Sequence, residues 1–195
     1  MREPPTDRPP DPAREARFGA LYDAHFAHVT GYVRRRADDP HDAADVIAET
    51  FLVAWRRLDD VPSGDPARFW LYGVARRALA NQRRGERRRR DLTARAAARL
   101  GRDLATARPA DTAPPELTAA FRALRADDRE LLGLVAWEGL DAGEIAVVLG
   151  ISRNAVRIRL HRARRRMTHE LERRGLGAAL PDAARVRANP MEGNP

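Results

Sequence analysis

The chain has 195 residues, with 36 basic and 28 acidic side chains, a net charge of +8 and no cysteine. Without cysteine there is no disulfide framework and no thiolate metal site, which suits a reducing cytoplasm, and no stretch approaches the roughly 18 apolar residues of a membrane helix. A strongly basic chain favours a polyanionic partner. Here every basic residue other than histidine is arginine, so the placement of the arginines is more informative than their number.

In chain order, "MREPPTDRPPDPAREA" carries five prolines before Ala13 and no apolar core. It reads as a disordered leader over residues 1–13, not a signal peptide. A first helical segment is expected over 14–90. It opens with "LYDAHFAHVTGYV", a helix of mixed face. Asp39 followed by Pro40 is a helix start, a capping residue and then a proline at the first helical position. In the helix that follows, Ile47, Phe51, Ala54, Trp55 and Leu58 recur at helical spacing and are expected to face the core. Asp42, Asp45 and Glu49 line up away from them. Asp42 lies in the first turn, where the helix dipole favours an acid. Asp45 and Glu49 lie beyond that turn. In so basic a chain their stripe fits a basic protein partner, and it equally fits a solvated surface.

Asp65 and Pro66 repeat the helix-start device before "ARFWLYGVARRALANQRR". Leu71, Val74, Ala75 and Ala78 share one side of this helix. Phe69, Gly73, Arg76, Ala80 and Arg83 lie opposite, with Arg77, Asn81 and Arg84 along the flank. Arginines with aromatics and an asparagine suit a single strand or melted duplex, where bases stack and phosphates pair. The alternative is that Trp70 and Tyr72 are core and the arginine run "GERRRR" is a solvated helix end.

Pro109, Pro114 and Pro115 mark a linker, set at 91–114, whose Ala-rich part is a helical connector. A second segment, 115–173, holds "ELTAAFRAL", "DRELLGLVAWEGL" and "DAGEIAVVLG", the last with Asp141 and Glu144 spaced as a capping box. The tail, 174–195, reads as loose. The second segment also holds "SRNAVRIRLHRARRRM", Ser152 to Met167, with seven arginines and no acid. With Ser152 as cap and about 100° per residue, Val156, Leu160, Ala163 and Met167 fall on one narrow face. Short helix, turn containing Gly150, and longer basic helix make a helix-turn-helix pattern. Arg153, Asn154, Arg157, Ile158 and His161 are then the candidates nearest base edges, and Arg162, Arg164 and Arg165 are candidates for phosphate. His161 suits either role, and Ile158 is either a surface residue or a partner for a thymine methyl.

No alternating apolar and polar run appears, so the fold class is all-α. It is expected to comprise two small helical domains joined by a flexible linker. Catalytic candidates are lacking. The histidines at 25, 28, 41, 161 and 169 are scattered, serine occurs only at 63 and 152, and the glycines form no phosphate-cradling loop. No metal or cofactor is expected.

Taken together, "DVIAETFLVAWRRLDD", "FWLYGVARRALANQRRGERRRR" and "LLGLVAWEGLDAGEIAVVLGISRNAVRIRLHRARRRM" closely resemble bacterial RNA polymerase sigma factors of the sigma-70 family. The similarity is to the small two-domain extracytoplasmic-function type and covers roughly residues 15–172. The resemblance implies a sigma-2 domain that binds the β′ clamp helices and helps melt the −10 element, and a sigma-4 domain that binds the −35 element and the β-flap. It places polymerase contacts at Asp42, Asp45 and Glu49. It places −10 contacts at Phe69, Arg76, Arg77, Asn81, Arg83 and Arg84 with the loop "DDVPSGDP". The −35 contacts fall at Ser152, Arg153, Asn154, Arg157, Ile158, His161, Arg162 and Arg165. Arg77 stands where members often carry Asn, and Ile158 where they often carry Ser or Thr. Sensing is then expected to lie elsewhere, with an anti-sigma protein or in control of expression, and a cytoplasmic location is expected. The alternative is a one-component helix-turn-helix regulator, which would need a ligand pocket or dimer face in the first domain.

Overall fold

A computed structural model of the chain describes residues 11–96 and 114–176, with side chains described to residue 85 of the first stretch. The leader up to residue 10, most of the expected linker and all but the first three residues of the expected tail lie outside the described residues. Seven α-helices are present among those described: α1 Pro12–Arg34, α2 Pro40–Arg56, α3 Pro66–Ala96, α4 Pro115–Ala123, α5 Ala126–Ala136, α6 Ala142–Leu149 and α7 Arg153–Glu172. A single 3-10 turn, Leu58–Asp60, joins α2 to α3. No described residue is in a strand, as the sequence pattern predicts. No described helix is long and apolar enough to cross a membrane. The described residues form two compact units. The first holds α1, α2 and α3 together with residues 143–151, and the second holds α4, α5 and α7.

Two differences from the sequence reading concern helix boundaries. The Asp11 side chain accepts hydrogen bonds from the Ala13 and Arg14 amides, and Pro12 takes the first helical position. The leader therefore ends at this cap, earlier than expected at Ala13. At the other end, α3 stays helical to Ala96, past the boundary set at 90. Arginine is a good helix former and needs no apolar face to continue a helix once begun. α6 buries Ile145 and Val148.

In the first unit, α1, α2 and α3 pack pairwise on one another. Their core is made by Val29, Tyr32 and Val33 of α1, Ala43, Val46, Phe51 and Ala54 of α2, and Leu71, Tyr72, Val74, Ala75, Ala78 and Leu79 of α3. Tyr32 and Tyr72 stack with ring centroids 4.7 Å apart. The Arg36 guanidinium lies 3.7 Å from the centre of the Tyr32 ring, a buried cation–π contact. The inward register of α2 differs from the sequence expectation at two residues. Val46 is buried where Ile47 was expected, and Ile47 and Trp55 are only half-buried. Fully buried Thr50 donates its hydroxyl proton to the Val46 carbonyl at 2.7 Å. A polar residue thus enters the core by satisfying itself within its own helix, and a search for apolar spacing passes over it.

In the second unit, α4 and α5 both pack against α7. The core is Ala120, Leu124, Leu131 and Leu134 against Val156, Leu160, Ala163 and Leu171. The Arg129 guanidinium closes the end of α4 by donating to the carbonyls of Arg122, at 3.0 Å, and Leu124. Helix ends leave such carbonyls without intrahelical partners.

His25, on α1, faces the start of α3. Burial disfavours its imidazolium, the positive charges of His28 and Arg68 add to this, and Asp65 opposes it, so its pKa lies below the ordinary 6.5. The unfolded chain then binds this proton more readily than the folded one. The stability held by neutral His25 is full above the unfolded value and is lost as pH falls through it toward the depressed folded value. Thermal unfolding should show a lower Tm at about pH 5.5 than at about pH 7.5, and His25→Phe should remove part of that slope. An identical slope in the variant would assign the pH response to other groups.

Candidate nucleic-acid and polymerase interfaces

The outer face of α2 is the first candidate surface. The Asp39 carboxylate accepts from the His41 amide at 2.6 Å and Pro40 follows it, as the sequence predicts, so the helix starts in a fixed register. That register turns Ala43, Val46, Phe51 and Ala54 inward and leaves Asp45 and Glu49 exposed, with Asp42 half-buried in the first turn. The same strip carries Leu52, 46 % exposed. Asp45, Glu49 and Leu52 follow i, i+4, i+7 spacing and so share one face. Sequence reasoning missed Leu52 because it searched this face for acids. Its signal was an apolar residue in register with the acidic stripe and not with the core.

On α3 the structure divides the residues that the sequence grouped. Arg77, Asn81, Arg83 and Arg84 are exposed and Arg76 is half-buried. Phe69 is only 7 % exposed, with the Arg68 guanidinium 5.2 Å from its ring centre. A base cannot stack on a ring already enclosed, so the surface role expected for Phe69 does not fit. The helix turns it inward with Tyr72, and Gly73 is buried beside them. Trp70 packs half-buried on the cluster of Leu58, Val61 and Ala67, the core role weighed for it. Arg83 donates to the Arg36 carbonyl at 2.5 Å, and Arg84 donates to the Asn81 side-chain oxygen. The preceding loop, Pro62 to Asp65, is exposed and turns at Gly64, whose φ of 69° is in the left-handed region.

The third surface is α7. Gly150, at φ 66°, makes the turn before it. The Ser152 hydroxyl then accepts from the Ala155 amide at 3.2 Å, the expected cap. Val156, Leu160 and Ala163 are buried as the pattern predicts, and Met167 is half-buried. Ser152, Arg153, Asn154, Arg157, Ile158, His161, Arg162 and Arg165 are all exposed. They form a solvent-facing surface with no acidic residue in the first turn. Ile158 is 45 % exposed, an apolar side chain among cations.

A basic helix preceded by a glycine turn has the form of a DNA-recognition helix, and a separate acidic face stands on α2. Sequence comparison identifies the family. Residues 21–89 match the sigma-70 region 2 family and residues 116–167 match sigma-70 region 4. The chain is 31 % identical over 174 residues to the ECF RNA polymerase sigma factor SigL of Mycobacterium tuberculosis, spanning 84 % of this chain and 94 % of SigL. It is 31 % identical to the RNA polymerase sigma factor CnrH of Cupriavidus metallidurans, over 80 % of this chain and 86 % of CnrH. The structure of CnrH in complex with the cytosolic domain of CnrY superimposes with a TM-score of 0.55 at 28 % identity, covering 80 % of this chain and 88 % of that one. The sigma factor RpoE of Bartonella quintana, solved with the anti-sigma factor NepR, shares the fold at 20 % identity and a TM-score of 0.57, over 80 % of this chain and 96 % of RpoE. The chain belongs to the sigma-70 family of RNA polymerase sigma factors, extracytoplasmic-function type. It binds core RNA polymerase and promoter DNA and acts in transcription initiation. The region 2 match decides against the one-component regulator.

Reversing the acidic strip should separate docking from folding. Asp45→Arg with Glu49→Arg places like charge against a basic partner as well as removing an attraction. Affinity for core polymerase should fall by about tenfold or more at unchanged helicity. Undiminished co-purification with core polymerase would mark this strip as ordinary surface.

Proposed function

We propose that α2 docks on the β′ clamp helices through Asp45, Glu49 and Leu52, with Asp42 at the edge of the contact. On this reading the exposed side of α3, with Arg76, Arg77, Asn81 and Arg84 and the loop at residues 62–65, engages the −10 element as it melts. α7, the second helix of the helix-turn-helix sequence pattern, reads the −35 element, and the 115–173 segment contacts the β-flap. Residues 14–90 and 115–173 are then the two working domains. An anti-sigma protein holds the factor in reserve in the cytoplasm, a reading in keeping with the sigma factor CnrH having been solved bound to the cytosolic domain of another protein, CnrY. No catalytic step or cofactor belongs to the chain in this scheme, since melting draws on binding energy.

The observation that carries the proposal is the register of α7. One cap and three buried residues, Ser152 with Val156, Leu160 and Ala163, aim Arg153, Asn154, Arg157 and Ile158 outward at the helix start. The first turns of a recognition helix are the part that meets base edges. Arg162 and Arg165 lie two to three turns later, at 1.5 Å rise per residue roughly 14–18 Å from Arg153, where phosphate is the nearer partner.

Transcription from a library randomised at −35 tests this assignment. Arg157→Ala should change which sequences are used, because a bidentate base contact carries about 1–3 kcal/mol of discrimination. Arg165→Ala should lower output from all sequences alike, since phosphate contacts carry no sequence information. A preference altered by Arg165→Ala and untouched by Arg157→Ala would reverse the orientation of α7 on DNA.

A further inference from the structure

The run Arg164–Arg165–Arg166 reads as three equivalent cations, but the structure gives the third a different task. The Arg166 Nη1 donates to both carboxylate oxygens of Asp128, at 2.8 and 2.9 Å. Asp128 lies in the first turn of α5 and its side chain is only 7 % exposed, whereas that of Arg166 is 46 % exposed. The two residues are 38 positions apart in sequence and belong to the same compact unit. A buried carboxylate is retained at a cost unless a cation meets it. Arg166 is thus drawn back toward α5, whereas Arg164 and Arg165 are exposed and make no comparable ion pair among the described residues.

The stripe that α7 packs against its neighbours is narrow and smooth. Of its buried residues Val156, Leu160, Ala163 and Leu171, none is aromatic, and Ala163 reaches barely beyond the backbone. Such a stripe decides which face of the helix turns inward but leaves its fine rotation about its own axis to other contacts. A rotation of about 20° moves surface atoms some 2 Å on a helix of about 5–6 Å radius. That is a large error for a side chain addressing a base edge. A directional, doubly accepted ion pair at the far end of the helix resists such a turn.

The geometry points to Asp128 and Arg166 as positioning residues for promoter recognition: the pair sets the rotation of α7, and so decides which base edges Asn154 and Arg157 meet, without touching DNA itself. This rests on the assignment of α7 to the −35 element. It makes an acidic residue, remote from the recognition face, necessary for binding a polyanion. Simple electrostatics gives the opposite sign. Removing a negative charge beside a basic helix strengthens attraction to DNA if field strength is all that matters.

The test uses full-length protein assembled with core polymerase, on the randomised −35 library and on one promoter over a range of salt. Asp128→Asn, Arg166→Ala and the double variant are compared with Arg157→Ala and Arg165→Ala, at a temperature where circular dichroism shows each variant folded. Both single variants should lower output from the preferred promoter roughly fivefold or more, and the double variant should do little further harm, as expected of two residues acting as one unit. Both should change the −35 preference in the same direction, and neither should reduce the salt slope. A lost phosphate contact would reduce that slope by about 0.9. The charge exchange Asp128→Arg with Arg166→Asp should restore part of the preference.

Raised output from Asp128→Asn would overturn the proposal. So would a uniform loss and a reduced salt slope from Arg166→Ala with Asp128→Asn silent, which would make Arg166 a phosphate contact. Lowered melting temperatures with unchanged preference and output would also overturn it, leaving the pair a purely stabilising one. If Arg157→Ala also leaves the preference unchanged, the assignment of α7 to −35 fails as well; if Arg157→Ala shifts it and the pair does not, only the positioning role fails.

Discussion

Everything in this protein depends on burying narrow apolar stripes on helices that are otherwise charged. On α7 the stripe is Val156, Leu160, Ala163 and Leu171; on α2 it is Ala43, Val46, Phe51 and Ala54 with Thr50. Because so little of each helix is spent on packing, most of its circumference is left for partners. A wider apolar face would add stability at about 25 cal/mol per Å², but it would consume the positions that meet polymerase and DNA. The register of each stripe is therefore a functional quantity. A shift of one residue on α2 would turn Asp45 and Glu49 away from the face they now occupy.

Arginine has two tasks here, and only one of them concerns nucleic acid. Several guanidinium groups donate to main-chain carbonyls: Arg14 to Trp55 at 2.7 Å, Arg17 to Val61 at 3.4 Å, Arg83 to Arg36, and Arg129 to Arg122 and Leu124. Most of these carbonyls lie at or just past helix ends, where the backbone lacks partners of its own. A planar group with five donors is well suited to this. The charge of +8 thus overstates the cation surface offered to a phosphate backbone, since some arginines are already committed to the fold.

Local rules made much of this legible in advance. The caps at Asp39 and Ser152, the glycine turn at residue 150 and the stripe on α7 each follow from a few adjacent residues, and each stands in the structure. What escaped depended on packing between distant segments. Val46 displaced Ile47 because neighbours in three dimensions, not period alone, choose between adjacent apolar residues. Phe69 looked like a stacking platform because it shares a face with arginines, but it is enclosed with Tyr72. The pairing of Arg166 with Asp128 joins positions 38 apart, and nothing in a run of identical arginines marks one of them out.

The first turn of α5 has a consequence for how such a chain tolerates change in length. Asp128 and Arg129 are neighbours in sequence with opposite duties, one holding α7 and the other closing the end of α4. Only Leu124 and Arg125 separate α4 from α5. Both have extended backbone, so one residue inserted or lost in that joint would move the start of α5 by roughly 3 Å relative to α4 and unseat both side chains together. Substitutions are absorbed one bond at a time, whereas a change of length here breaks two at once. The α4–α5 joint therefore behaves as a fixed-length gauge, one that descendants of this sequence can decorate but not resize.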